Sequence, residues 1–101
     1  MKKIITEKML EDYKIYLYEQ EKSKATIQKY MCDLKKLIEF ADNRELDKML
    51  IIQYKEHLRE NADYKTSSIN SFLVAANRFF EFLGWYELKV KTGPMSRFST
   101  S

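Results

Sequence analysis

The sequence has few of the residue types that make turns, disulfides or metal sites. Its 101 residues include two glycines, one proline, one cysteine and one histidine. So few glycines and prolines leave little turn chemistry for an all-β fold, while the many Leu, Lys, Glu, Met and Ala residues favour helices. A single cysteine excludes an internal disulfide and a multi-cysteine zinc site, and it suits a reducing compartment. The composition predicts an all-α protein of the cytoplasm.

Long apolar runs are also missing. No stretch approaches the roughly 20 residues that span a bilayer, and the start MKKIITEK lacks a hydrophobic signal region. We therefore expect no membrane partner. The length allows one domain, which can bury roughly 60–65% of its unfolded surface and fold alone. We predict a folded domain over residues 1–88, followed by a linker or disordered tail over 89–101.

Residues that commonly carry out catalysis are isolated from one another. His57 has no second histidine or nearby cysteine with which to build a metal site. Cys32 has no local base that would activate its thiol. The two glycines do not form a phosphate-binding loop. We predict no catalytic residue, no metal and no cofactor, so the chain by itself is not expected to be an enzyme.

Apolar residues at helical spacing predict four helices. Thr6 and Asp47 are candidate N-caps of the first and third helices, and Ser23 or Thr26 can cap the second. Gly84 is the expected left-handed C-cap of the fourth helix. The predicted helices cover about 6–21, 24–41, 47–60 and 66–83.

The second and fourth predicted helices share one apolar pattern. Ile27, Leu34 and Leu37 are each matched by an apolar residue 42 positions later, and both helices follow a Ser/Thr/Lys cluster, KSKAT or KTSS. Any two amphipathic helices of equal length share this period. The alternative is a paired architecture, in which both helices present the same kind of outer face.

Charge is distributed unevenly, although the net charge is only +3. Residues 22–36 contain five lysines and one acid, Asp33, and residues 65–80 contain two cations and no acid. Residues 45–64 are predominantly acidic. A basic, acid-poor surface suits duplex DNA, because Lys and Arg bind phosphates while Ser, Asn and Gln contact phosphates or base edges. The other interpretation, solvated lysines beside ordinary helix caps, remains open from the pattern alone.

Two stretches carry a family resemblance, YKIYLYEQEKSKATIQKYMCDLKKLIEF and TSSINSFLVAANRFFEFLGW. The first contains a Ser-x-x-Thr-Ile-x-x-Tyr-x-x-Asp-Leu run from Ser23 to Leu34. The second begins its helix with Ile-Asn and ends it with Phe-Phe-x-Phe-Leu. From about Met9 to Tyr86 the chain resembles the N-terminal core-binding domain of tyrosine recombinases, the phage integrase family, often called its SAM-like domain. The resemblance implies a four-helix SAM-like orthogonal bundle.

This resemblance implies a DNA-binding function. In such recombinases the domain forms half of a clamp around the recombination site, with its second and fourth helices facing the major groove. A separate C-terminal domain cuts and rejoins DNA through a tyrosine. Together with the charge pattern, the resemblance predicts these DNA-binding residues: Lys22, Lys24, Thr26, Gln28, Lys29, Lys36, Lys65, Ser67, Asn70, Ser71, Asn77 and Arg78.

The implied partners are double-stranded DNA, the missing C-terminal catalytic domain, and sister recombinase protomers on DNA. The isolated chain is expected to be a monomer. The catalytic residues of the family do not fit after Tyr86, so we expect either one domain of a longer integrase or a truncated gene product. The alternative function is a helical protein–protein interaction module without DNA affinity, which would use Tyr16, Tyr18 and the aromatic residues of the tail.

Overall fold

The computed structural model describes residues 3–61 and 63–92, and within these ranges the chain forms helices and no strand. A short 3-10 helix, Tyr86–Leu88, follows the last α-helix. The predicted all-α, four-helix architecture is confirmed. The α-helices are α1 (Glu7–Glu19), α2 (Lys24–Ala41), α3 (Lys48–Glu60) and α4 (Thr66–Leu83).

Side-chain caps fix where three of the helices begin. Thr6, Ser23 and Asp47 each accept a hydrogen bond from the backbone N–H three residues later, at 3.2, 3.2 and 2.7 Å. Ser23 rather than Thr26 therefore caps α2. Gly84 ends α4 in the left-handed conformation, with φ of 80°. Because these signals are local, the sequence placed the helix starts correctly.

The first helix is shorter than its predicted range of 6–21. It ends at Glu19, and Glu21 takes a left-handed φ of 59°. This conformation lets the backbone N–H of Lys22 donate to the carbonyl of Leu17 at 3.2 Å, which closes the helix end. The chain can then turn directly into the Ser23 cap of α2.

The core lies between α2 and α4, with α1 and α3 packed against this pair. Leu37, Ile51, Phe79 and Phe80 have no exposed surface at all. Tyr13 of α1 also enters the core, and its ring lies 5.2 Å from that of Phe79. Burial of such aliphatic and aromatic side chains supplies most of the driving force for folding. No helix within the described ranges combines the length and apolarity needed to cross a bilayer.

Three pairs of neighbouring residues show that α2 and α4 run in opposite directions along their interface. Lys22, just before α2, lines the same groove as Arg78 near the end of α4. Lys29 reaches Ser71 in the middle of both helices. Lys36, further along α2, lies over the ring of Tyr64, just before α4. The clusters KSKAT and KTSS, each at the N-terminus of its helix, therefore lie at opposite ends of the shared interface.

The chain continues to pack on the helices after Gly84. Leu88 and Val90 are buried, and Trp85 is half-buried against the core. The domain was predicted to end at residue 88, but the packed segment reaches Val90, two residues further. The position of the domain boundary stays a prediction. Of the predicted tail, residues 93–101 lie outside the described residues.

Tyr54 is the one buried polar side chain with an unmet hydrogen-bonding group within the described residues. Its side chain is 1% exposed, and its hydroxyl has no hydrogen-bond partner there. Burial, followed by the negative charge of Asp33, raises the pKa of Tyr54. We expect Tyr54→Phe to increase the free energy of unfolding by about 1 kcal/mol, because the variant removes the desolvation penalty of an unpaired hydroxyl. Urea denaturation followed by circular dichroism measures this change.

Tyr13→Phe is the matched control for this variant. Tyr13 is equally buried as a residue, but its hydroxyl, unlike that of Tyr54, is not a fully buried atom without a hydrogen-bond partner. The same chemical change should therefore give no stabilisation there. A Tyr54→Phe variant less stable than the parent protein would contradict the prediction.

Candidate nucleic-acid interface

The outer sides of α2 and α4 adjoin and form one surface with mainly positive charge. We call it the basic face. The contacts between the two helices bring its cations together, and Asp33 is the single acidic residue within 22–36 and 65–80. That carboxylate is buried beside Lys29, so the exposed charged side chains of these two segments are all cationic. The cations of the basic face are Lys22, Lys24, Lys29, Lys36, Lys65 and Arg78.

A closed triangle of hydrogen bonds lies at the centre of the basic face. The Lys29 Nζ donates to Asp33 Oδ2 at 3.2 Å and to Ser71 Oγ at 2.6 Å. The Ser71 hydroxyl donates in turn to Asp33 Oδ2 at 3.3 Å. The side chain of Lys29 is 59% exposed and that of Asp33 only 7%. The triangle therefore holds an exposed ammonium above a buried carboxylate and joins α2 to α4.

One end of the basic face opens into a groove of about 470 Å³. Its rim carries Lys22 and Arg78, and its walls are mostly aromatic, including Tyr16 and Tyr30. Tyr13 lies at the bottom, where burial, followed by interaction with Tyr30, raises its pKa to about 12. The Tyr13 hydroxyl therefore stays protonated near neutral pH and remains available as a hydrogen-bond donor.

At the other end, aromatic rings hold Lys36. Its Nζ lies 5.4 Å from the ring centroid of Tyr64 and 5.5 Å from that of Phe72. The two rings pack edge to face against each other, with centroids 5.2 Å apart. Such cation–π contacts restrain a lysine without neutralising its charge. Lys36 thus remains part of the positive surface, but it is half-buried.

Asn77 holds the segment that leaves α4. Its side-chain amide donates to the carbonyl of Val90 at 2.8 Å, and its Oδ1 accepts from the N–H of Val90 at 3.0 Å. On the α3 side, Lys48 donates to the carbonyl of Lys89, and Lys55 donates to that of Lys91. The sequence predicted that Asn77 contacts DNA. In the structure its amide is hydrogen-bonded to Val90 of the segment from Trp85 to Lys91, which we call the exit segment.

The other predicted DNA-binding residues differ in exposure. Thr26 receives a hydrogen bond from the Ser23 hydroxyl at 3.0 Å and is half-buried. Ser71 belongs to the triangle described above. Asn70 is half-buried and has an interaction of its own. Contact of any of these residues with DNA stays a prediction. The exposed ones are Lys22, Lys24, Gln28, Lys29, Lys65, Ser67 and Arg78.

The candidate catalytic groups do not assemble into a site. The ring of His57 packs against Phe40, with centroids 5.1 Å apart. Cys32 is exposed on the outer side of α2. Within residues 3–61 and 63–92, His, Cys, Asp and Glu side chains nowhere form a group of three that would hold a metal ion.

Comparison with known protein families matches residues 10–87 to one of them, described as the N-terminal SAM-like domain of phage integrase. The match covers all of α2, α3 and α4 and most of α1. Comparison with curated proteins and with solved structures gave no match.

Proposed function

We propose, since the chain belongs to the family of phage integrase N-terminal SAM-like domains, that it binds duplex DNA through the basic face. The observation that carries this proposal is the distribution of charge around Asp33. The one acid of the two basic segments is buried beneath Lys29, so the exposed charged side chains of residues 22–36 and 65–80 are all cationic. Such a surface binds phosphates and releases the counterions condensed on DNA.

The arrangement of α2 and α4 suits a duplex in a second way. Because the helices run in opposite directions, their N-termini lie at opposite ends of the basic face, next to Lys24 and Lys65. Helix N-termini attract phosphates, and Lys65 makes no side-chain cap hydrogen bond. Two sets of phosphate contacts, separated along the face, would orient the domain on DNA. Between them Gln28, exposed on α2, is in position to contact base edges.

In this proposal the domain holds the recombination site and does not cut it. The strand-exchange chemistry belongs to a tyrosine-bearing catalytic domain, which together with sister protomers on DNA is the proposed partner. A single domain makes only its own phosphate contacts, so it should bind weakly. Linkage to a second DNA-binding domain raises the affinity through the effective concentration of the tethered partner.

A titration of duplex DNA followed by residue-resolved NMR tests the proposal. We expect the largest chemical-shift changes at backbone amides of the basic face, for example Lys24, Lys29, Ser71 and Arg78. The amides of α3, at residues 48–60, should shift little, because this helix lies outside the basic face and its cations are interspersed with Glu56 and Glu60. Changes confined to α3, or no binding at low salt, would exclude DNA binding through the basic face.

Single-lysine variants refine this test. We expect Lys24→Ala and Lys29→Ala each to weaken binding about fivefold at 0.1 M salt, equally on unrelated sequences, because phosphate contacts carry no sequence information. Each variant should also reduce the slope of log K against log salt by about 1. Lys8→Ala on α1 is the control, since Lys8 is exposed but lies outside the basic face. Salt-independent binding by the parent protein would contradict the prediction.

A second candidate function is protein binding, which exposed apolar side chains favour. Ile15 and Tyr18 of α1 are 57% and 53% exposed, and Tyr86 is 62% exposed. Exposed apolar groups that cluster commonly mark interaction surfaces. Sedimentation equilibrium distinguishes the two functions: self-association that persists in high salt, without DNA affinity, would favour protein binding.

A further inference from the structure

Asp33 is a buried carboxylate that phosphate binding by itself does not explain. An acid beneath a DNA-binding surface repels phosphates, and burying its charge costs free energy unless the charge is paired and hydrogen-bonded. Here the pairing is specific, because the two partners come from different helices, Lys29 from α2 and Ser71 from α4. Its position at the helix interface points to a role in arranging those partners.

We infer that Asp33 is a positioning residue for DNA binding, which holds the ammonium of Lys29 in place to meet a backbone phosphate. This inference rests on the proposed function. An ammonium has three N–H donors, and in the triangle two of them point to Asp33 Oδ2 and Ser71 Oγ. The third can donate outward, and the side chain is exposed enough for a phosphate oxygen to reach it.

The advantage of this arrangement is conformational. A free lysine side chain has large rotamer entropy, which it loses when a phosphate contact fixes it. In the triangle most of that freedom is already restricted before DNA arrives, so the contact costs less on binding. Ser71 adds a link to α4, so that the same ammonium is held relative to both helices of the basic face.

An opposite effect of Asp33 is also physically possible. Its negative charge, 3.2 Å from Lys29 Nζ, weakens the attraction of Lys29 for a phosphate. If this attenuation dominated, removal of the charge would tighten DNA binding and increase the contribution of Lys29. If positioning dominates, removal of the charge weakens binding and decreases that contribution. The two effects therefore predict changes of opposite sign for one variant.

The variant is Asp33→Asn, which keeps the size of the side chain and removes its charge. Duplex affinity is measured at 0.1 M salt for the parent chain, Asp33→Asn, Lys29→Ala and the double variant. We expect Asp33→Asn to weaken binding about threefold, although it removes a negative charge and so raises the net charge of the chain by one. We expect Lys29→Ala to lower duplex affinity about fivefold in the parent background. In the Asp33→Asn background we expect it to lower duplex affinity by less than about twofold.

Controls separate positioning from a purely structural role. Lys35→Ala, on the same helix and exposed, should have the same effect in both backgrounds. Ser71→Ala changes no charge and removes one side of the triangle, so it should reproduce a weaker form of the Asp33→Asn result even if the latter variant unfolds. NMR of the lysine ammonium groups gives an independent readout: the Lys29 signal should be observable in the free parent chain and broadened beyond detection in Asp33→Asn.

The outcomes that overturn the inference are distinct from those that overturn the proposed function. A parent chain that fails to bind any duplex at low salt removes both. A parent chain that binds, with Asp33→Asn binding more tightly, removes the inference alone. An equal loss of duplex affinity on Lys29→Ala in both backgrounds also removes the inference alone. This holds even where urea denaturation shows that Asp33→Asn is less stable, because a merely structural role of Asp33 would lower stability without changing the effect of Lys29→Ala.

Discussion

Replacing Lys24 and Arg78 together by glutamate is expected to weaken duplex binding by more than about thirtyfold at 0.1 M salt. Both side chains are exposed on the basic face, and each substitution would replace a proposed phosphate contact with repulsion. Lys24 is the first residue of α2, where a glutamate interacts favourably with the helix dipole, so the fold should tolerate this change. Fluorescence anisotropy with a labelled duplex measures the loss, and circular dichroism verifies folding.

The matched control is Lys8→Glu with Arg59→Glu. This pair makes the same change in net charge on α1 and α3, at side chains that are 85% and 60% exposed. If only net charge governed binding, both double variants would lose affinity equally. The proposed interface predicts a loss of less than about threefold for the control, because long-range charge is screened at this salt concentration. Equal losses in the two double variants would remove the basic face as the binding surface.

Phe79→Ala is expected to lower the free energy of unfolding by about 4 kcal/mol. Phe79 of α4 is completely buried and packs on Tyr13 of α1 and on its neighbour Phe80, with ring centroids 5.2 and 6.5 Å apart. Truncation removes these contacts and leaves a cavity between helices. Domains of this size are commonly stable by only 5–15 kcal/mol, roughly, so the variant should melt about 20 °C lower. Thermal unfolding followed by circular dichroism measures the shift.

Phe82→Ala is the control for position on the same helix. Phe82 also contacts Tyr13, with centroids 5.2 Å apart, but it is only partly buried and borders the groove. Its truncation leaves a space that solvent can enter, so we expect less than half of the Phe79→Ala effect. Comparable losses at both positions would show that the groove side of α4 is as tightly packed as the core.

The helices could be predicted from the sequence because their determinants are local. Apolar spacing predicted a fourth helix over about 66–83, the range that α4 has in the structure, and Thr6, Asp47 and Gly84 act within three or four residues of themselves. The family could also be predicted, since the Ser23–Leu34 run lies within the matched range. None of these inferences required knowledge of how one helix packs on another.

The chemistry of individual basic-face residues could not be predicted in the same way. Burial of Asp33 depends on where α4 crosses α2, and the apolar pattern fixes which side of each helix is inward but not the direction in which they cross. Lys36 is held by Tyr64 and Phe72, which are distant in the sequence. A helical wheel places Asp33 near the inward stripe, but it does not reveal which side chains it pairs with.

The role of Asn77 was missed for a different reason. Its partner Val90 lies 13 residues later, beyond the end of all helical periodicity. A signal was nevertheless present: Leu88 and Val90 alternate with Lys89 and Lys91, the pattern of an extended segment with one buried side. The predicted linker began at residue 89, whereas Val90 is buried in the structure.

Anchoring of this exit segment shortens the tether to anything attached after it. If the chain were free from Gly84 onward, the residues from Trp85 to Lys91 would add roughly 20–25 Å of reach when extended. Asn77 forms two hydrogen bonds with Val90, and Lys55 donates to the carbonyl of Lys91. A following domain would therefore move about a fixed attachment point beside α3 and α4. The volume that this following domain can reach would be set by the residues after Lys91. Breaking the hydrogen bonds between Asn77 and Val90 would lengthen the linker without altering either domain.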